Sequence, residues 1–154
     1  LNAASATILR FPNIYGPGQT SKQLIPSIIN QIKSNSQNIK VGSFKGSRNY
    51  LFIDDAVSAL IKIIESEDSK SIIFISGRNV KIMTIIESFQ KIFIDNYNDQ
   101  KVLFSEIYKD SPRANYQLPP EKIDDSYFRI KYNWEPKTEI LEGLLITLNG
   151  DIYE

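Results

Sequence analysis

The sequence of 154 residues contains no cysteine and no histidine. These absences exclude disulfide bonds, thiol nucleophiles, a histidine general base and most zinc sites. An excess of either charge is also missing, because 18 Lys and Arg residues balance 18 Asp and Glu residues. We therefore expect neither nucleic acid nor an anionic membrane surface as a partner, and local charges must decide what the chain binds.

Long apolar runs are absent as well. No stretch reaches the ~18 residues that a membrane-spanning helix needs, and no charged-then-apolar leader precedes the first strand. This favours a cytoplasmic location. The first residue is Leu1 rather than Met, and residues 1–5 carry no start signal, so we expect the chain to be a piece of a longer protein. With 42% apolar residues, it is long enough for one core, and we predict a single, partial domain over residues 1–154.

The stretch RNYLFIDDAVSALIKII, residues 48–64, combines a cation, a strand and a helix. Residues 50–53 are aromatic or aliphatic, which predicts a buried strand. From residue 56 to residue 64 the apolar spacing predicts a helix with one broad stripe facing the core. Asp54 and Asp55 stand between the two, where we predict helix capping rather than acid–base or metal chemistry. Arg48 precedes the strand and suits a phosphate or carboxylate ligand, the alternative being a surface salt bridge.

Strands alternate with helices along the chain, which predicts an α/β fold with a smaller α-rich lobe. Predicted strands cover residues 6–11, 39–41, 50–53, 71–75 and 101–104, and predicted helices cover residues 24–32, 56–64, 84–93, 121–132 and 138–148. Pro26 fits only the first turn of its helix, which therefore starts near residues 23–25, with Thr20 or Ser21 as its cap. Residues 13–19 predict a turn-rich loop where α/β sheets place ligands, although a plain connection is the alternative. Trp134 is expected to anchor the core under the last helix.

Four separated stretches carry a family resemblance: LRFPNIYGPGQ (9–19), SRNYLFIDDAVSAL (47–60), FISGRNVKIMTIIE (74–87) and YNWEPKTEILEGL (132–144). They resemble the extended short-chain dehydrogenase/reductases, above all the NAD-dependent sugar-nucleotide epimerases and dehydratases. The resemblance covers only the carboxyl-terminal part of that fold. It implies the end of a Rossmann-like parallel sheet plus a small α-rich substrate-binding lobe, mainly residues 12–48 and 95–154.

The resemblance assigns no catalytic residue and no metal ligand to this chain. The family's glycine-rich GxxGxxG turn is absent, and its catalytic Tyr-x-x-x-Lys pair would lie just upstream of Leu1. We therefore expect the chain to be inactive alone. NAD or NADP would be bound mostly by the missing amino-terminal half, with Phe11 and Pro12 lining the nicotinamide and the sugar.

The resemblance also implies a set of substrate-binding residues that contact the nucleotide, its diphosphate or the sugar: Asn13, Gln23, Leu24, Val41, Arg48, Tyr50 and Arg113. Arg48 and Arg113 would form a clamp, and a pyrophosphate with about two negative charges would gain roughly 1.5–3 kcal/mol from each charge-assisted hydrogen bond. Val41 belongs to the strand whose backbone lies beside the base. Asn13 would bind near the phosphates, the alternative being an Asx turn. Lys22 is either an ordinary charge or a further phosphate contact.

Three departures from the family pattern stand out. Asn49 replaces the usual Asp, which would weaken a structural salt bridge or cap. Asn115 and Tyr116 replace Gly-Asp after the second arginine, which puts a ribose contact in doubt. Residues 76–79 form a looser version of the family's glycine turn.

The function implied by the resemblance is the nucleotide-sugar-binding portion of an NAD(P)-dependent epimerase or 4,6-dehydratase, in polysaccharide biosynthesis. The intact enzyme is expected to be a homodimer that binds a nucleotide-diphosphate sugar. Two alternatives stay open: a non-catalytic remnant or binding module, and an extended reductase with a non-nucleotide substrate.

Overall fold

A computed structural model describes residues 6–20, 23–66, 72–96, 102–108 and 123–150. Its elements alternate between strands and helices, as predicted for an α/β fold. The strands are β1 (Ile8–Arg10), β2 (Asn13–Tyr15), β3 (Asn38–Val41), β4 (Ser47–Phe52), β5 (Ile72–Phe74), β6 (Arg78–Lys81) and β7 (Leu103–Glu106). The helices are α1 (Leu24–Lys33), α2 (Ile53–Ile64), α3 (Ile82–Asn96), α4 (Ser126–Tyr132) and α5 (Ile140–Gly150).

The strands form three small sheets. β1 pairs with β5 and β3 pairs with β7, both in parallel. The central sheet has the order β2-β4-β6, with β2 parallel and β6 antiparallel to β4. One predicted loop is wrong: Asn13–Tyr15 is a strand, because its backbone pairs with β4 from Tyr50 to Phe52. Such long-range pairing leaves no signal in a turn-rich local sequence.

The prediction for α2 needs two corrections. β4 begins at Ser47, so Arg48 lies inside the strand, and Ile53 already belongs to the helix. The broad apolar stripe does not face the core as a whole: Val57, Ile61 and Ile64 are 45%, 47% and 71% exposed. The helix instead buries Asp55, Ala56 and Ala59. Alanines let the helix backbone approach the sheet closely, and the apolar arc is wider than the face that the described sheet covers.

Two apolar clusters form the core. The first lies between one face of the central sheet and helices α1, α3 and α5. The second joins the other face to α2 and α4, and includes Leu51, Ile73 and Phe128. Trp134 is 4% exposed there, with its ring 5.2 Å from that of Phe128 and its Nε1 donating to Ser58 Oγ at 2.9 Å. Trp134 is a core residue as predicted, but it packs with α2 and α4 and not under the last helix, α5.

The outer face of the β1–β5 pair is apolar and exposed. Ile8, Ile72 and Phe74 are 57%, 40% and 41% exposed, although parallel sheets usually have both faces covered. The exposed residues of α2 are a further apolar surface. Across the described part of the chain, no helix is both long enough and apolar enough to cross a membrane.

Candidate functional site

The central sheet brings three predicted binding residues onto one face. Asn13 on β2 is in register with Tyr50 on β4, and Arg48 precedes Tyr50 by two residues. Because side chains alternate along a strand, all three project from the same face. A strand spacing of about 4.8 Å and a rise of about 3.3 Å per residue place the Cα atoms of Asn13 and Arg48 roughly 8 Å apart. The two residues are therefore neighbours on the sheet, and the guanidinium of Arg48 lies against Ser47 and Gly46.

The side chain of Asn13 is fixed by a contact across the sheet. Its Nδ2 donates to the backbone carbonyl of Asn49 at 2.9 Å. The Asx-turn alternative is wrong, since the residue lies in a strand and its bond reaches 36 positions along the chain. One N–H is used, which leaves Oδ1 and the second N–H to contact a ligand.

Asn49 ties the same region to the turn after β5. It is 5% exposed, and its Oδ1 accepts a 2.7 Å hydrogen bond from the N–H of Gly77. A Cβ on Gly77 would overlap the carbonyl of Tyr50, so the turn requires glycine through close approach. Asn49 thus bonds the glycine turn, and the expected weakening relative to Asp stays a prediction. An asparagine supplies the needed acceptor as an aspartate would.

Arg48 is half-buried, and its Nη1 donates to the carbonyl of Ser47 at 2.8 Å. Within the described ranges no carboxylate forms an ion pair with it, so the surface salt bridge finds no support there. Burial raises the pKa of Tyr50 to about 12, against a smaller lowering by the Arg48 charge. Tyr50 therefore offers a neutral hydroxyl for hydrogen bonding and does not act as a base near neutral pH.

The residues at the start of α1 lie where they were predicted, although the cap differs. Leu24 opens the helix and Pro26 sits in its first turn. Gln23 takes the N-cap position without a side-chain capping bond, so Thr20 is not the cap. The amide Nε2 of Gln19 contacts the Ile14 carbonyl at 3.1 Å and Gln23 Oε1 at 3.4 Å. This folds the loop after β2 back toward the site.

Val41 lies on β3, and its expected backbone contact with the base stays a prediction. Its side chain is 3% exposed in the first core cluster, and its carbonyl accepts the N–H of Ile107 at 2.8 Å. It has no exposed side chain to offer a ligand. Phe11 and Pro12 are half-buried directly after the carboxyl end of β1, consistent with a ligand-facing edge. Arg113, Lys22, Ser21, Asn115 and Tyr116 lie outside the described residues.

The two aspartates of α2 differ in role. Asp54 is exposed, whereas Asp55 is 5% exposed and accepts the N–H groups of Lys137 and Thr138, each at 3.0 Å. Helix capping therefore does not explain Asp55, which joins α2 to the segment before α5. Arg78 holds the same segment through the carbonyls of residues 136 and 138 and an ion pair with Glu139 at 2.7 Å.

A buried polar cluster at the end of β5 was missed from sequence. Asp125 Oδ2 accepts from the N–H of Ser76 at 3.2 Å, from its hydroxyl at 2.5 Å, and from Arg129 Nε at 2.7 Å. No local pattern signals this cluster, because its partners are 49 residues apart. It fixes α4 against the carboxyl end of β5.

The Tyr-x-x-x-Lys spacing does occur in this chain, at residues 97–101 and 127–131, outside the four matching stretches. On α4, Lys131 Nζ donates to the hydroxyl of Tyr127 at 3.0 Å on the exposed surface. Such a pair is an ordinary contact between residues one helical turn apart. In the described ranges, no group of three or more Asp and Glu residues is arranged to hold a metal ion.

Comparison with known proteins finds a match to one family. Residues 2–76, just under half of the chain, match the model of the NAD dependent epimerase/dehydratase family. Among its curated relatives, a dTDP-D-glucose 4,6-dehydratase of Dictyostelium discoideum is 48% identical over 52 residues, which are 34% of this chain and 12% of the relative. The human dTDP-D-glucose 4,6-dehydratase is 27% identical over 146 residues, covering 92% of this chain and 40% of the relative.

The fold of this chain is also found among solved structures. The UDP-glucuronic acid 4-epimerase from Bacillus cereus, in complex with UDP-glucuronic acid and NAD, superposes with a TM-score of 0.75 at 18% identity. The match covers 95% of this chain and 45% of the epimerase. The chain thus spans less than half the length of these epimerase/dehydratase relatives.

Proposed function

We propose that this chain is the nucleotide-sugar-binding portion of an NAD(P)-dependent sugar-nucleotide epimerase or 4,6-dehydratase, and that it holds the substrate diphosphate. The observation that carries the proposal is the placement of Asn13 and Arg48 on one face of the central sheet. A guanidinium without a carboxylate partner among the described residues matches an anionic oxygen well.

The rigid setting of this pair supports a positioning role. Arg48 and Tyr50 lie on a strand that is paired on both sides, and Asn13 is bonded to the same strand. Groups on such elements keep their geometry, which holds a nucleotide still while the sugar reacts. The Bacillus cereus epimerase was solved in complex with UDP-glucuronic acid and NAD, which supports a nucleotide sugar as the ligand class.

For the cofactor, this chain offers Phe11 and Pro12 at the carboxyl end of a parallel strand, an apolar surface that fits a nicotinamide ring. The sequence has no GxxGxxG turn for the pyrophosphate, so the rest of that site belongs to a longer protein. When bound, NAD(P) supplies hydride transfer. We propose that the longer protein is a cytoplasmic homodimer.

Titration calorimetry with UDP, dTDP, GDP and CDP tests the diphosphate clamp. Arg48→Ala is expected to weaken nucleotide binding about 10- to 150-fold, since a hydrogen bond to a charged group contributes about 1.5–3 kcal/mol. Arg10→Ala is the matched control, because Arg10 lies on the β1–β5 pair with its guanidinium 5.7 Å from the ring of Phe74.

Unchanged affinity in Arg48→Ala, or no affinity of the wild type for any of the four nucleotides, would contradict the clamp. The latter result would favour the reductase with a non-nucleotide substrate. Sequencing the gene upstream of Leu1 distinguishes the hypothesis of an enzyme portion from that of a non-catalytic remnant. An in-frame GxxGxxG turn and Tyr-x-x-x-Lys pair support the enzyme, whereas a start codon directly before Leu1 contradicts it.

A further inference from the structure

The ends of β3 and β7 form an ordered edge that the preceding residues do not account for. The two strands run in parallel, with Val41 opposite Glu106. Their pairing continues past both strands, since the N–H of Tyr108 donates to the carbonyl of Gly42 at 3.0 Å. Carboxyl ends of parallel strands are the usual ligand-binding edge of α/β folds.

Tyr108 rests on Gly42 at this edge. A Cβ built on Gly42 would lie 3.4 Å from Cε2 and 3.5 Å from Cδ2 of the tyrosine ring. The ring edge therefore contacts the glycine closely, and a larger residue there would displace it. Tyr108 is nevertheless 37% exposed. Among the described aromatic residues only Phe74 is also this exposed, and it lies beneath the Arg10 guanidinium.

A short, hydrogen-bonded loop connects this edge to Arg48. The Glu106 carboxylate accepts the N–H of Phe44 at 2.6 Å and the hydroxyl of Ser43 at 3.1 Å. At the far end of the loop, Arg48 Nη1 is 3.7 Å from a Cβ built on Gly46. The aromatic ring and the guanidinium thus lie at opposite ends of one fixed loop.

We propose that Tyr108 is the stacking surface for the nucleobase of the bound nucleotide, with Glu106 holding the loop that spaces the base from the diphosphate at Arg48. This inference rests on the proposed function. Val41 is expected to meet the base through its backbone and its side chain is buried, so Tyr108 adds a side-chain contact. Stacking on a tyrosine tolerates any base, so the ligand class is a nucleoside diphosphate without strong base selectivity from this residue.

Two ligands, one with a base and one without, distinguish the contribution of the base to binding from that of the phosphates. Calorimetry with dTDP and with inorganic pyrophosphate is carried out on the full chain and on Tyr108→Ala, Tyr108→Phe and Arg48→Ala. Tyr108→Ala is expected to weaken dTDP binding about 5- to 150-fold, the range of one stacked base, and to leave pyrophosphate binding unchanged. Tyr108→Phe keeps the ring and the dTDP affinity, whereas Arg48→Ala weakens both ligands.

Ile107→Ala is the matched control, since Ile107 is 58% exposed next to Tyr108, and it should leave both affinities unchanged. The inference is overturned if Tyr108→Ala leaves dTDP binding intact or weakens dTDP and pyrophosphate equally. A wild type that binds pyrophosphate and dTDP equally well also overturns it while the diphosphate clamp survives. A wild type that binds neither ligand overturns both.

Discussion

Removing the Asp55 carboxylate should destabilise the fold far more than removing its neighbour Asp54. Asp55 accepts two backbone N–H groups, from Lys137 and Thr138, each at 3.0 Å, and it is 5% exposed. A hydrogen bond to a charged group contributes about 1.5–3 kcal/mol, and water can partly satisfy the freed N–H groups, so Asp55→Ala should cost about 3 kcal/mol. Asp54 is exposed, so Asp54→Ala should lower the free energy of unfolding by about 0.5 kcal/mol.

The two aspartates make a matched pair because both lie in the first turn of α2. Their favourable interaction with the helix dipole, about 0.3–1 kcal/mol, is common to both and cancels in the difference. Urea unfolding followed by circular dichroism gives the free energies, and the melting temperature of Asp55→Ala should fall by roughly 6–12 °C. Equal losses in Asp54→Ala and Asp55→Ala would refute the reasoning and restore simple helix capping for both.

Two further changes test the packing around β4. Gly77→Ala places a Cβ against the carbonyl of Tyr50 and should lower the free energy of unfolding in urea by about 3 kcal/mol or more. The control Gly18→Ala, at φ +75 in open space, should lower it by only about 1–2 kcal/mol. Similar losses in the two variants would argue against the close approach at Gly77. Burial raises the pKa of Tyr50 from 10.0 to about 12, so the unfolded chain loses this proton first and stability, complete below pH 10, falls as pH rises toward 12. Tyr50 should contribute roughly 2–3 kcal/mol of this loss. Burial raises the pKa of Tyr15 as well, so Tyr50→Phe should reduce the loss, and Tyr15→Phe combined with Tyr50→Phe should remove most of it. An unchanged pH dependence in Tyr50→Phe would contradict the reasoning.

Local patterns predicted much of the fold. The start of α1 near Gln23 follows from Pro26, whose missing N–H is tolerated only in a first turn. β3 and β5 were predicted from short β-branched runs and lie within one or two residues of the expected limits. The stripe of α2 was predicted as a pattern, but helical periodicity cannot say which part of a wide apolar arc the rest of the fold covers.

For the candidate site, the sequence alone named the residues but not their arrangement. Asn13 and Arg48 came from the resemblance, while their common face depends on the register of β2 against β4. The bond of Asn49 to Gly77 could not be predicted, because its partner lies 28 residues away. Tyr108 belongs to no recognisable motif, and its position at the edge follows only from its contact with Gly42.

The sequence by itself determined the chemistry that is excluded, the alternation of strands and helices, and the motifs that mark the epimerase/dehydratase family. Composition and periodicity are properties of neighbouring residues, so they can be read along the chain. Only the tertiary structure decided that Asp55 holds a segment up to 83 residues away and that a guanidinium and a carboxamide share one sheet face. Those facts depend on strand register and on contacts between distant segments, which arise only when the chain packs.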